Sequence, residues 1–187
     1  MKTFIFFCLL FSSLASAEQI MNIHLKNGQI SKFNINDIKK ITYVSKKEIH
    51  NVALASKGAI ATDNGSYTYG GDNQSSSRVI DGNEKTFWCG IEGNTPQTLN
   101  IIFRKKYNIS RIRIAEAGGF IKNAKLYYFD GNEYVYFHTI NKNKLNYKKS
   151  FPSVVTGRIK LVINNFSAPN SWSNKTVCVR SFEVFGN

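Results

Sequence analysis

Carboxylates are scarce in this sequence: 12 Asp and Glu stand against 25 Lys and Arg, for a formal net charge of +13. That balance favours polyanionic partners through long-range attraction, and sulfated or uronic-acid glycans, anionic lipid headgroups, cell-wall polymers and nucleic acid all fit. Its bland alternative is a charge that only keeps the chain soluble. The basic residues are spread in short pairs such as Lys39-Lys40, Lys105-Lys106 and Lys148-Lys149. No nucleic-acid motif accompanies them, so no nucleic-acid partner is expected. Histidine is sparse too. His24, His50 and His138 lie far apart with no nucleophile motif nearby, and neither a zinc-ligand spacing nor a phosphate-cradling glycine loop occurs. Only a convergence of Glu92, Glu116, Asp130 and Glu133, as paired carboxylates for glycoside hydrolysis, stays open. Beyond the N-terminus no apolar run approaches the roughly 20 residues a membrane-spanning helix needs, so no transmembrane segment is expected.

At the N-terminus, Lys2 is followed by the apolar run from Phe4 to Phe11 and the small residues from Ser12 to Ala17. A charged n-region, a short h-region and an Ala15-Ser16-Ala17 site predict a signal peptide over residues 1–17, with the mature chain beginning at Glu18. The protein is therefore expected to be secreted, periplasmic or on the cell surface. Cys8 follows two Phe rather than small residues, against a lipoprotein acylation site. Cys89 and Cys178 remain in the mature chain. An oxidising compartment permits a disulfide between them, and two free buried thiols are the alternative that sequence spacing cannot decide.

Aromatics are what the sequence has in quantity, with 14 Phe, 9 Tyr and 2 Trp beside only 3 Pro. With Val, Ile and Thr recurring in short runs, the composition reads as all-β. Residues 18–47 form a small first unit. Ile23 and Leu25 alternate with polar residues up to the hairpin signal Asn27-Gly28, and Ile30, Phe33 and Ile35 follow. Ile38, Ile41 and Tyr43 predict a third extended or short helical piece, and Ser45-Lys46-Lys47-Glu48 a linker. A lone hairpin is marginal in water, so this unit is expected to pack on the main domain or on a protein partner.

From residue 48 onward the pattern changes to short strands between Gly-, Asn- and Ser-rich loops. Strands are predicted over 59–61, 99–103, 109–115, 124–129, 134–139, 145–151, 157–163 and 182–185. In the second half of 109–115, Ile112 and Ile114 alternate with Arg111 and Arg113, giving one buried and one basic face. About eight strands with regular turns, one of them Asp130-Gly131, predict a β-sandwich.

Particular residues then point to a family. Asn51-Val52-Ala53-Leu54-Ala55 resembles the opening of discoidin-type domains, and the segment from Val79 to Trp88 contains their "DGN..T.W" turn. Tyr127-Tyr128-Phe129-Asp130-Gly131, Arg158-Ile159-Lys160-Leu161 and Phe182-Glu183-Val184-Phe185-Gly186 resemble later pieces in the right order. Residues 51–187 therefore resemble the coagulation factor V/VIII type C (discoidin) domains and family 32 carbohydrate-binding modules. The resemblance implies a jelly-roll-like β-sandwich with the galactose-binding-like fold, acting as a non-enzymatic binding module.

It also implies a structural calcium ion at the Asp81 turn, held by the carboxylate of Asp81, the hydroxyl of Thr86 and the carbonyls of Arg78 and Asn83. Calcium takes six to eight oxygen ligands of these kinds. The family's second carboxylate aligns with Ser181, which should weaken the site. Glu183 is expected on the other face of the sheet and so a poor substitute. The alternative is an Asx-type turn without metal.

For the ligand, the resemblance and the loop positions point to Tyr67, Tyr69, Phe120 and Trp172 as stacking platforms, with Glu116 and Asn165, joined by Asn170 and Asn174, as hydrogen-bonding partners. Trp88 reads better as core than as platform. Galactose specificity is not carried over, because the family's sugar-binding His and Arg align with Cys89 and Glu116. For Glu116 the alternative is a surface ion pair with Lys122 or Arg113. The expected function is that of a lectin-like module recognising a glycan, anionic or neutral, through loops at one end of the sandwich, with anionic lipid or a protein-adhesion partner as the alternative.

Overall fold

The structure, a computed structural model, describes residues 19–25, 27–39, 48–69, 71–93, 95–167 and 176–187. The chain divides into two compact units between Lys46 and Lys47. In the first, β1 (Ile20–His24) pairs antiparallel with β2 (Ile30–Asn34), with Ile20 opposite Asn34 and His24 opposite Ile30. Gly28 closes the turn at φ +83, with open space where a Cβ would stand, so backbone conformation rather than room demands glycine there. A 3-10 turn (Ile35–Asp37) follows, its first N–H groups met by the Asn34 side chain, which accepts from the Asn36 N–H at 3.1 Å. Ile41, Tyr43, most of the expected linker and the expected signal peptide lie outside the described residues.

The second unit contains β3 (His50–Asn51), β4 (Ile60–Asp63), β5 (Thr68–Tyr69), β6 (Asp72–Asn73), β7 (Trp88–Cys89), β8 (Gln97–Glu116), β9 (Phe120–Phe129), β10 (Tyr134–Asn141), β11 (Tyr147–Ser167) and β12 (Cys178–Gly186). Apart from the β5–β6 pair, these strands join antiparallel in the order β10-β9-β11-β8-β12-β3, with β4 added to β8 and β7 to β12. Two strands are much longer than the sequence pattern predicts. The segments 99–103 and 109–115 are one strand, β8, and 145–151 and 157–163 are one strand, β11.

The register gives the reason. Tyr107 stands opposite Thr156 and Ile102 opposite Arg158, so residues 103–106 of β8 face Gly157 alone. This wide bulge bends both strands without ending them. One half of each lies in a layer with β4, β9 and β10, and the other half in a layer with β12, so the two layers of the sandwich share two strands. Polar residues at 104–106 mark a loop in the sequence, whereas in the structure they mark a corner.

Alternation fills the space between the layers. Leu99, Ile101, Ile109, Ile112, Ile114, Leu126, Ile159, Leu161, Ile163, Phe182 and Val184 are buried, together with Val79, Ile80 and Trp88. Each large apolar side chain so buried contributes roughly 1.5–3 kcal/mol. Trp88 has no exposed surface, in keeping with the core role favoured for it.

Because β8 turns back at its middle, Gln97 and Glu116, its two termini, lie at one end of the sandwich. The bulge lies at the other, with the β9–β10 turn, whose Phe129 carbonyl accepts from the Thr156 hydroxyl at 2.7 Å. These are the loop end and the bulge end.

Candidate functional site

At the loop end, antiparallel pairing sets Cys89 of β7 directly opposite Cys178 of β12, and the structure joins them with Cα atoms 4.1 Å apart. Ala117 completes a small apolar cluster on this disulfide, and the partly buried rings of Tyr67 and Phe87 pack against it. Tyr67 is positioned by its backbone: its N–H donates to the Cys89 carbonyl at 2.8 Å, and its own carbonyl accepts from the Gln74 N–H at 3.1 Å. Gly90, next along, lies so close to Gln97 that a Cβ there would stand 1.9 Å from the carboxamide oxygen. The Gln97 side chain, wholly buried, donates instead to the Ile91 carbonyl at 2.8 Å.

Phe120 opens β9 opposite Ser167 and stays half-exposed, with the Lys142 ammonium 6.0 Å from its ring centre, at the limit of a cation–π contact. Asn165 is exposed on β11 opposite Asn123. Beside it the amides of Asn164, Asn123 and Asn141 form a short ladder, at 3.1 and 2.6 Å. The structure thus brings Tyr67, Phe120 and Asn165 to one end. Tyr69 is described through its backbone, which pairs with Asp72. Trp172, Asn170 and Asn174 lie outside the described residues.

Glu116 requires a correction. Its side chain is fully buried rather than turned to a ligand, and its carboxylate takes the Lys142 ammonium, the Ile121 N–H at 2.9 Å and the Asn146 N–H at 2.5 Å. Neither Lys122 nor Arg113 is its partner. A carboxylate removed from water needs donors in place of its hydration, and here three meet it. Asn146 reaches it from a left-handed backbone at φ 61, which Asn tolerates better than most residues. Lys142 and Asn146 carried no mark in the sequence, where they sit in a run of Lys and Asn.

The Asp81 turn follows a 3-10 segment (Ser76–Ile80) that anchors Val79 and Ile80 in the core. One Asp81 oxygen accepts from the Asn83 N–H at 2.7 Å, and the other from the Thr86 hydroxyl at 2.6 Å. Across on β12, the Ser181 hydroxyl oxygen is buried with no hydrogen-bond partner. An orphaned oxygen on β12, which packs on the 3-10 segment leading into a turn rich in oxygen donors, fits a hard cation in donor type. Asp81 is the only carboxylate of the set, and among the described residues no group of three or more His, Cys, Asp or Glu is placed to hold a metal.

Glu183 is also corrected. Two residues after Ser181, it shares that residue's face, since side chains of a strand repeat with period two. Its carboxylate is committed to Arg113, which donates to Glu183 at 3.0 Å and to Glu84 of the turn at 3.2 Å. Partial burial depresses this guanidinium, and the Glu183 and Glu84 carboxylates together outweigh that and hold it above its ordinary value. Of the four carboxylates considered for glycoside hydrolysis, Asp130 and Glu133 share the β9–β10 turn at the bulge end, away from Glu116 at the loop end, whose carboxylate is committed to Lys142, while Glu92 lies in the segment after β7. No helix of the described residues is long and apolar enough to cross a membrane.

Known structures share this architecture. Chitosan-binding module 1 from a chitosanase/glucanase of Paenibacillus sp. IK-5 superposes with TM-score 0.62 at 18% identity, over 73% of this chain and 99% of that one. Module 2 of that enzyme, solved with chitotriose, gives 0.62 at 15% identity over 73% and 100%. The family 32 module of C. perfringens NanJ, solved with galactose, gives 0.59 at 18% over 74% and 99%. No curated protein matches the chain in sequence. The model of the F5/8 type C domain matches residues 59–181, about two thirds of the sequence, and the chain belongs to the F5/8 type C domain family.

Proposed function

We propose that this protein is an exported, non-catalytic module that binds carbohydrate through the loop end of its sandwich. The observation that carries the reading is the pair of partly exposed rings at that end. Tyr67 rests on the Cys89–Cys178 cluster, Phe120 stands at the start of β9, and the exposed Asn165 lies beside the amide ladder. An aromatic ring held by its backbone presents a face for the apolar side of a sugar, and neighbouring amides orient hydroxyls. The relatives solved with chitotriose and galactose support the ligand class. The disulfide supports export, since such bonds persist in oxidising compartments.

The familiar galactose-binding positions hold Cys89, in the disulfide, and Glu116, beneath Lys142, so the sugar is recognised by other groups than in the galactose-binding members. In the same reading a calcium ion is held weakly by Arg78, Asp81, Asn83, Thr86 and Ser181. Its role would be to fix the turn rather than to touch the ligand. A glycan array probed with the full chain, with calcium and with chelator, tests the proposal. Binding to a defined glycan that Tyr67→Ala or Phe120→Ala abolishes is the expected result. An empty array with capture on anionic vesicles or by a protein partner would overturn it.

A further inference from the structure

At the bulge end, three cations, Lys57, Arg104 and Lys105, line one cleft, and Lys106 follows them on the strand. Arg104, Lys105 and Lys106 occupy the bulge of β8 in sequence, all exposed, and Lys57 approaches them from the turn after β3. Lys57, Arg104, Lys105 and Tyr107 line an open cleft of about 520 Å³. Among the described residues none of the four cations belongs to an ion pair, although Arg78 and Lys142 elsewhere each have one and Arg113 has two.

Two of these side chains are held in place from below. The Lys57 ammonium donates to the Asn51 carbonyl at 2.9 Å, leaving its other protons for a ligand. Arg104 lies across Gly58, where a Cβ would stand 3.3 Å from its Cδ, so glycine leaves the stem its bed. The Tyr107 ring is occupied on its own account, packed edge-on to Phe103 at 5.9 Å with the Lys105 ammonium 5.2 Å from its centre. Cations fixed around a cleft, on a protein of formal charge +13, form a receptor for repeated negative charge.

We propose that this cleft is a second binding site, for the sulfate or carboxylate groups of an acidic polysaccharide, separate from the loop end and independent of the sugar reading given for it. A polysaccharide suits it better than a bilayer, because the one ring lining it is engaged and offers no apolar wedge, and firm membrane attachment takes an apolar element in addition to charge. It suits it better than a single-stranded nucleic acid for a related reason, since successive bases stack on several rings and this cleft is lined by one, which already carries the Lys105 ammonium.

The test is retention of the full chain on immobilised heparin and on polygalacturonate, against a salt gradient, beside co-sedimentation with phosphatidylserine vesicles. Arg104→Ala/Lys105→Ala should weaken polysaccharide binding at least about fivefold and flatten its salt dependence, as losing two charge contacts does. Lys125→Ala/Lys144→Ala removes the same charge from exposed positions outside the cleft and should leave it within about twofold, because direct charge contacts outweigh distant screened ones. Tyr67→Ala should leave it unchanged, which separates this site from the loop end. Since the four substituted cations are exposed, circular dichroism and melting temperature of the two double variants should match the parent. Equal losses in the two double variants, no retention by the parent, or binding to vesicles alone would each overturn the proposal.

Discussion

The Lys142 ammonium rests on the Glu116 carboxylate beneath the loop end, and both side chains are withdrawn from solvent. Removing one partner leaves a buried charge unmatched. Lys142→Met is therefore expected to destabilise the protein by roughly 3–5 kcal/mol, while the double change Lys142→Met with Glu116→Gln should cost clearly less. Urea unfolding of the three proteins checks this. A double variant no more stable than the single would mean that packing rather than charge explains the loss.

The bond between Cys89 and Cys178 closes a loop with a sequence separation of 89. Restricting the unfolded chain to that extent stabilises the fold by about 4.6 kcal/mol on the chain-entropy account. Cys89→Ala/Cys178→Ala should lower the urea midpoint accordingly, with a steeper slope because the freed unfolded chain exposes more surface, and added reductant should shift the parent but not the variant.

His138 on β10 has its Nε2 2.6 Å from the Tyr147 hydroxyl. Partial burial, and then the charge of Lys149, hold its pKa below the ordinary 6.5. The unfolded chain therefore binds the proton more tightly, and stability rises with pH across this range. The contribution is present above pH about 6.5 and is lost as pH falls through the lower folded value. Melting temperature measured from pH 7.5 to 5 should decline on acidification, and His138→Gln should make the decline shallower.

Calcium should stabilise the second unit by mass action, by about 2.7 kcal/mol once its concentration is a hundred times the dissociation constant. With a single carboxylate in the set, millimolar ion is the expected requirement. Asp81→Asn should abolish the effect. Ser181→Glu, which restores the family's second carboxylate, should bring it to lower concentrations. A melting temperature indifferent to calcium and chelator in both parent and Ser181→Glu would leave the turn as the hydrogen-bonded loop formed by Asp81, Asn83 and Thr86.

Strand identity could be read from the sequence because alternation reports burial directly: Ile112 and Ile114 against Arg111 and Arg113 is such a case. What alternation does not report is continuity. Arg104, Lys105 and Lys106 look like a loop by polarity, yet a bulge lets β8 pass through them. Tyr67 and Phe120 are legible as large rings in polar stretches, but the cluster under Tyr67 and the strand that Phe120 opens are not, since both form only on folding. Glu116 was misjudged because its partners, Lys142, Ile121 and Asn146, come together only through folding, two of them by backbone N–H groups that any residue supplies. Glu183 shares the face of Ser181, since a step of two along β12 returns a side chain to the same face.

The shared course of β8 and β11 has a mechanical meaning. In a sandwich of separately closed layers, one sheet can loosen while the other persists. Here two backbones run unbroken through both, and their pairing joins residues as distant in sequence as Gln97 and Ile163. Neither layer can melt without dragging the other's central strands, so the sandwich is expected to come apart in one cooperative event. Its assembly waits on long-range pairing, which makes folding slow for its size. A tether pulling on a ligand at either end would load the same two strands, and so the whole sandwich at once.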